Sequence, residues 1–204
     1  MKLYGSLTSP FVRKVRLVLL EKNIPHELVV EGPADAAGNV ARLNPLRAVP
    51  VLERDDGEVF FDSPMICEYI DSLNDKPRLI PPAGEPRWQV LRWHALGQGM
   101  MEATVTRMVE LRKPAEHQAA AQISKHAARI AAALAFADER VTDAPFLVGN
   151  QIGYADLTLG AALDYVDLRY AHDWRSKHPG LARWHAAISK RPSFTETLPP
   201  ELKK

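Results

Sequence analysis

The residues best placed to do chemistry are two serines that stand directly before prolines. Ser9-Pro10 precedes Val12, Val15 and Leu19, and Ser63-Pro64 precedes Ile66, Ile70 and Leu73, both apolar sets at helical spacing. Serine is a favoured N-cap, and proline suits the first helical turn, where no N–H is needed. A helix N-terminus presents free N–H groups and a partial positive charge, so it favours an anion. Neither start has the Glu or Gln of a capping box, because Val12 and Ile66 occupy that position. Both hydroxyls therefore lack that reciprocal partner, and Thr8 adds a third beside Ser9. Two such helix ends at one sheet edge would suit a ligand with two separated anionic groups. Asp62 next to Ser63 adds a place for a cation, which suits an α-amino acid end. The local pattern alone equally allows two ordinary helix caps.

Other reactive types point less sharply. Val49-Pro50 lies between the two serines, and a cis bond there would turn the Val49 N–H and C=O away from a strand ladder. Cys67 is the single cysteine and falls beside Ile66 and Ile70, which reads as a buried, inert thiol. No cysteine stands at positions 8–12, so a disulfide exchange centre at the first helix lacks its nucleophile. The seven histidines show no paired ligand spacing, and no metal is expected. Met100, Met101, Thr104 and Met108 read either as core or as one wall of an apolar pocket, with Phe11 as a further lining residue. Arg13 reads as a solvated charge.

The elements that must position these groups fall into two classes. Residues 1–5 read as a strand, 10–21 as a helix ended by Asn23 and Pro25, and 26–30 as a second strand. A loop over 32–38 follows, then one helical turn from Asn39 to Leu43, stopped by Asn44-Pro45. Pro50–Arg54 and Glu58–Phe61 form a hairpin around Asp55-Asp56-Gly57, and a helix opens at Asp62-Ser63-Pro64. The order is β-α-β-α-β-β-α. Residues 79–86, within a proline-rich stretch, read as a linker. Beyond it every pattern is helical: Trp88–Leu111, bent at Gly97 and Gly99, a helix from Pro114 carrying Ile123 to Leu134, one through Leu157 to Leu168, and one through Leu181 to Ile188 stopped by Arg191-Pro192. Two domains are expected, an α/β domain over 1–78 and an all-α domain over 87–204.

The chain has 204 residues and a formal charge of +1, which gives no reason to expect nucleic acid or an anionic membrane as partner. No long apolar run or secretion signal is present, and a lone cysteine suits a reducing compartment, so the expected location is the cytoplasm.

Thr8-Ser9-Pro10, Asn44-Pro45-Leu46 leading into Val49-Pro50-Val51-Leu52, Asp62-Ser63, and Val148-Gly149-Asn150 through Tyr154-Ala155-Asp156-Leu157 occur in an order and spacing that resemble the glutathione transferase family. The bacterial serine-type branch is the most similar. The resemblance covers nearly the whole chain and implies a thioredoxin-like N-terminal domain followed by a helical bundle. It implies a cis Pro50, with Val49 pairing its main chain with the cysteinyl part of glutathione. Asp62 and Ser63 would hold the γ-glutamyl end, Ser9 or Thr8 would face the thiol, and Arg47 could reach the glycyl carboxylate. Three positions depart from the family pattern: Arg47-Ala48 replaces Gly-Lys, Gly153 replaces a Ser or Thr cap, and Asp62 is shorter than the usual Glu or Gln. Asp156 can still accept the Gly153 N–H.

The function so implied is glutathione transfer to a small electrophile, with Ser9 as the catalytic residue and Phe11, Met101, Thr104 and Met108 lining the co-substrate pocket. A homodimer is implied as well. Lowering a thiol pKa from about 8.5 to about 7 takes about 2 kcal/mol of differential stabilisation. A helix end supplies about 0.3–1 kcal/mol, so a hydroxyl donor is needed beside it. Two alternatives share the fold: a glutathione-binding or regulatory protein without turnover, and a glutathione-dependent isomerase, dehalogenase or peroxidase.

Overall fold

The structure is a computed structural model that describes residues 1–32, 35 and 37–203. The expected loop over 32–38 thus lies partly outside the described residues, at 33, 34 and 36. In chain order the elements are β1 (Lys2–Gly5), α1 (Pro10–Glu21), β2 (Glu27–Val30), α2 (Asn39–Leu43), β3 (Val51–Glu53), β4 (Val59–Phe61), α3 (Ser63–Ser72), α4 (Gly84–Leu111), α5 (Ala120–Asp138), α6 (Tyr154–Arg169), α7 (Pro179–Ile188) and α8 (Pro192–Thr197). They form two compact units, one of Met1–Ile80 with the segment from Pro192 on, the other of Pro81–Arg191.

The first unit has the expected β-α-β-α-β-β-α order and a mixed four-stranded sheet, β2-β1-β3-β4. β1 runs parallel to β2, while β3 is antiparallel to both β1 and β4. The period of two along a strand separates its faces. Tyr4 and Val51 cluster with Val40 of α2 on one face. Leu3 and Leu52, paired across β1 and β3, carry the opposite parity and are fully buried, as are Val15, Leu19, Ile66 and Ile70 of α1 and α3. Gly5 at the end of β1 is a packing requirement: a Cβ there would stand 2.3 Å from Val12 Cγ2. Asn23, one residue beyond the C-cap of α1, takes φ +51°, the left-handed conformation expected of it.

The segment from Pro192 on packs against α1, and this reverses the reading of Arg13. Its side chain is buried, not solvated. Nε donates to Thr197 Oγ1 at 3.3 Å, an Nη donates to the Phe194 carbonyl at 3.4 Å, and Cζ lies 5.5 Å from the Phe194 ring centroid. Ser193 Oγ donates to Glu21 Oε1 at 2.5 Å. Pro192, expected only to stop α7, is the first residue of α8, where its missing N–H costs nothing.

The second unit is helical throughout. α6 is buried from Tyr154 to Val166, which marks a central helix covered on all sides. α4 runs unbroken through Gly97 and Gly99. At Gly97 the backbone of α4 packs close against α6: a Cβ would meet Thr158 Cγ2 at 2.9 Å and its main chain at 3.1 Å. α5 begins at Ala120, later than the expected Pro114, because a single 3-10 turn over Ala115–His117 intervenes. Asp156 caps α6: Oδ2 accepts the Gly153 N–H and Oδ1 the Leu147 N–H, each at 2.8 Å. Cys67 is buried. Among the described residues no helix is long and apolar enough to cross a membrane, and no group of three His, Cys, Asp or Glu could hold a metal ion.

Candidate active site

Strand register assembles the site. Tyr4, Val51 and Phe61 form one row across β1, β3 and β4. The chain leaves this row at three points: forward from β1 into Ser6–Ser9, backward from β3 into Val49-Pro50, and forward from β4 into Asp62-Ser63. Both α1 and α3 therefore begin at the same end of the sheet, as the paired serines require. Five of the six candidate residues, Thr8, Ser9, Val49, Asp62 and Ser63, flank this row, and Arg47 lies two residues before Val49.

Ser9 is the N-cap of α1, in extended backbone, and its Oγ accepts the Val12 N–H at 3.4 Å. The serine proton has no protein acceptor among the described residues, so this hydroxyl can cap the helix and still donate outward. Thr8 is less free: its Oγ1 is 3.1 Å from Ser6 Oγ, which also accepts the Thr8 N–H at 3.3 Å.

At α3 the cap falls one residue earlier than the repeated Ser-Pro pair suggests. Asp62 is the N-cap residue, with φ +73° and no side-chain cap bond, while Ser63 is the first helical residue and buried. Only three described non-glycine residues have positive φ, Asn23, Arg47 and Asp62, and two of them are site candidates. A non-glycine residue in this region is uncommon and is held there by its surroundings. The Asp62 carboxylate, exposed, and the Ser63 hydroxyl have no protein hydrogen bond among the described residues.

The Val49–Pro50 bond is cis. Val49 lies outside the β1–β3 register and makes no main-chain hydrogen bond within the described residues. The loop before it is built by Asn44, whose local pattern reads as a helix stop. Asn44 is buried; its Oδ1 accepts the Leu46 N–H at 2.9 Å, its Nδ2 donates to the Ala48 carbonyl at 2.8 Å, and its carbonyl accepts the Arg47 N–H at 2.9 Å. The Asn-Pro pair carried the signal, since asparagine before a turn often bonds its own backbone two residues on. Arg47 is exposed and at φ +50°.

The expected co-substrate residues divide between the units. Phe11 on α1 is half-buried. Met101 and Thr104 on α4 are buried, and the Thr104 hydroxyl donates to the Met100 carbonyl at 2.8 Å. Met108 is half-buried. A recess of about 540 Å³ runs along α3 from Asp62 past Met65 and Tyr69 to Ser72.

A thioredoxin-like α/β domain with a hydroxyl at the first helix start and a cis proline beside it, followed by a helical domain, defines a class of thiol-handling proteins. Residues 3–78 match the family model for the glutathione S-transferase N-terminal domain, and residues 118–187 the model for its C-terminal domain. A GST-like protein of Escherichia coli K12, YibF, is 35% identical over 202 residues, which is 98% of this chain and all of that one. A glutathione S-transferase from Methylobacillus flagellatus, solved with glutathione bound, is 39% identical, with a TM-score of 0.93 over 97% of this chain and 98% of that one. One from Methylobacterium radiotolerans, in complex with glutathione sulfonate, is 32% identical, with a TM-score of 0.92 over 97% and 94%. The chain belongs to the glutathione S-transferase family.

Proposed function

We propose that the protein binds glutathione in its first unit and activates the thiol with Ser9 for attack on a small electrophile. One observation carries the reading: the Ser9 hydroxyl accepts from its own helix and keeps its proton for a ligand. A neutral hydroxyl that donates to a sulfur stabilises the thiolate over the thiol and lowers the thiol pKa. The start of α1 adds its partial positive charge. Thr8, tied to Ser6, supports the loop. The γ-glutamyl end fits the start of α3, its carboxylate on the Ser63 hydroxyl and its ammonium on Asp62. The unpaired main chain of Val49 suits the cysteinyl residue, and Arg47 suits the glycyl carboxylate. The relatives solved with glutathione or its sulfonate support this assignment. Phe11 and Met108, both half-buried, and Met101 and Thr104, both buried, remain candidates to line the electrophile pocket.

Calorimetric titration of glutathione into the wild type and Ser63→Ala tests the binding site. Losing a hydrogen bond to a charged group, about 1.5–3 kcal/mol, weakens binding ten-fold or more. Unchanged affinity would remove the γ-glutamyl assignment. A screen of electrophile classes with glutathione tests turnover; binding without turnover of any class would make the protein a binding module. A homodimer joined through α3, α4 and α5 is part of the same proposal, with exposed Met65 of α3 and exposed Trp88 and Val109 of α4 among the apolar residues to be covered. Sedimentation at micromolar concentration that gives only monomer would refute it.

A further inference from the structure

The short helix α2 is capped by a side chain from outside it. Its own N-cap is Gly38, in extended backbone and with no side chain to offer the helix. Glu31, the residue after β2, takes that role: Oε1 accepts the Val40 N–H at 2.7 Å, and Oε2 accepts the Asn39 side-chain amide at 3.2 Å. Val40 is the second residue of α2, so its N–H is one that an N-cap side chain ordinarily serves. The two arrangements exclude each other. A Cβ on Gly38 would stand 2.2 Å from Glu31 Oε1, and 3.1 Å from Cγ of the exposed Asp35. The Val40 N–H first, then the Asn39 side chain and N–H and the charge of Arg42, hold the Glu31 carboxylate below its ordinary value against the opposing effect of burial.

Part of the candidate site hangs on α2. A helix of five residues is too short to hold itself, so α2 keeps its place through its contacts. Val40 is fully buried in one cluster with Tyr4 and Val51 of the sheet, and Val49 packs against the same cluster. The Val40 carbonyl accepts the Asn44 N–H at 2.9 Å, and the Asn44 side chain in turn holds Leu46 and Ala48. Glu31 itself is tied to the sheet, its N–H donating to the Gly5 carbonyl at 3.3 Å. Hydrogen bonds thus run from the sheet through Glu31, Val40 and Asn44 to the loop that carries Arg47 and leads into Val49.

We propose that Glu31 is a positioning residue for glutathione binding: by capping α2 in place of Gly38 it sets where Arg47 and the Val49 main chain stand. The inference rests on the glutathione reading above, in which Glu31 touches no part of the ligand. Without its cap α2 frays, and the apparent affinity falls by the fraction of molecules that still hold α2 in place. Ser9 and Ser63 belong to α1 and α3, so activation of the bound thiol does not depend on Glu31.

Calorimetric titration of glutathione into the full chain tests it, with thermal unfolding to check that each variant is folded. Glu31→Ala should weaken binding about five-fold, the equivalent of one lost N-cap. Gly38→Ser alone should weaken it as well, because the added Cβ displaces the Glu31 carboxylate. In the double variant the serine has room and caps α2 from the ordinary position, so binding should return close to the wild-type value. A role in general stability would lower the unfolding midpoint and leave the affinity of the folded protein unchanged. The ultraviolet titration of the bound thiol at saturating glutathione should coincide in all these proteins. If Glu31→Ala does not fold, Glu31→Gln carries the test. It keeps an oxygen for Val40 but turns an NH₂ onto the Asn39 amide, and a loss of about three-fold is expected, the worth of one hydrogen bond. Unchanged affinity in a folded Glu31 variant, a double variant no tighter than Glu31→Ala, or a shifted thiol titration would each overturn the proposal and leave the glutathione reading intact. A wild type that binds no glutathione would remove both.

Discussion

Lys22 and Asp71 form an ion pair from which water is excluded: Nζ lies 3.0 Å from Oδ1, and the side chains are 0% and 5% exposed. The pair joins the C-cap of α1 to the last turn of α3. Each partner is also satisfied by backbone. Lys22 Nζ donates to the carbonyls of Asp71, Asn74 and Pro77 at 2.9, 2.6 and 2.8 Å, and Asp71 accepts the N–H groups of Leu79 and Ile80 at 2.8 and 3.0 Å. It thus fixes the far ends of the two helices whose near ends form the candidate site. Removing one charge leaves the other buried and uncompensated, which costs about 3–5 kcal/mol. Lys22→Met should lose that much stability in denaturant titration; a loss below about 1 kcal/mol would show that the pair is replaceable.

Ser9 separates capping from catalysis. The 3.4 Å cap bond is long, so Ser9→Ala should cost about 1 kcal/mol or less and Ser9→Gly a few tenths. Both substitutions remove the donor to the thiolate. The bound thiol pKa should then rise by about one to two units, and the thiolate fraction at pH 7 should fall. Ultraviolet absorbance of the thiolate against pH, with thermal unfolding alongside, reads both effects. An unshifted titration in a stable Ser9→Gly protein would confine Ser9 to structure.

Gly97 and Gly99 sit two residues apart on α4 and should respond with opposite signs. At Gly99 a Cβ meets nothing within 4 Å, so Gly99→Ala should gain about 0.5–1 kcal/mol from helix propensity. At Gly97 the added methyl meets the Thr158 main chain, which cannot swing aside, and overpacking costs about 1–3 kcal/mol. Gly97→Ala should therefore be destabilised on balance, by shift of the unfolding midpoint. Equal effects at the two positions would mean that α6 gives way.

Asp156 makes stability depend on pH. Burial pushes its carboxyl up to about 6, against the lowering effect of its backbone hydrogen bonds, from an ordinary value of 3.8. The folded state then holds a proton that the unfolded chain releases. The resulting stabilisation is fully present below pH 3.8 and is lost as pH rises through about 6, on the order of 3 kcal/mol in all. Asp156→Asn, which cannot ionise, should remove this component of the slope between pH 4 and 6. It should also lose about 1–3 kcal/mol, because its NH₂ faces an N–H that needs an acceptor. Denaturant midpoints across that range for both proteins check the sign; equal slopes would mean that Asp156 does not titrate there.

Much was legible in the sequence because it is written locally. The Ser-Pro starts, the Asp55-Asp56-Gly57 hairpin, the left-handed Asn23 and the all-helical pattern beyond residue 86 each follow from short local patterns. The Asp156 cap on Gly153 spans only three positions. What only tertiary structure decided concerns partners far apart in the chain. Arg13, an ordinary surface charge by its helix position, is buried because residues 181–184 positions later fold back onto α1. Lys22 meets Asp71 across 49 residues. Met101 and Thr104 read from spacing either as core or as a pocket wall, and both are buried. Arg107 of α4 meets the Tyr170 ring beyond the end of α6, 63 residues later, at 3.8 Å. Periodicity tells which face of a helix is apolar; it carries no information about which distant group will meet the polar one, because that pairing is fixed only when the helices pack.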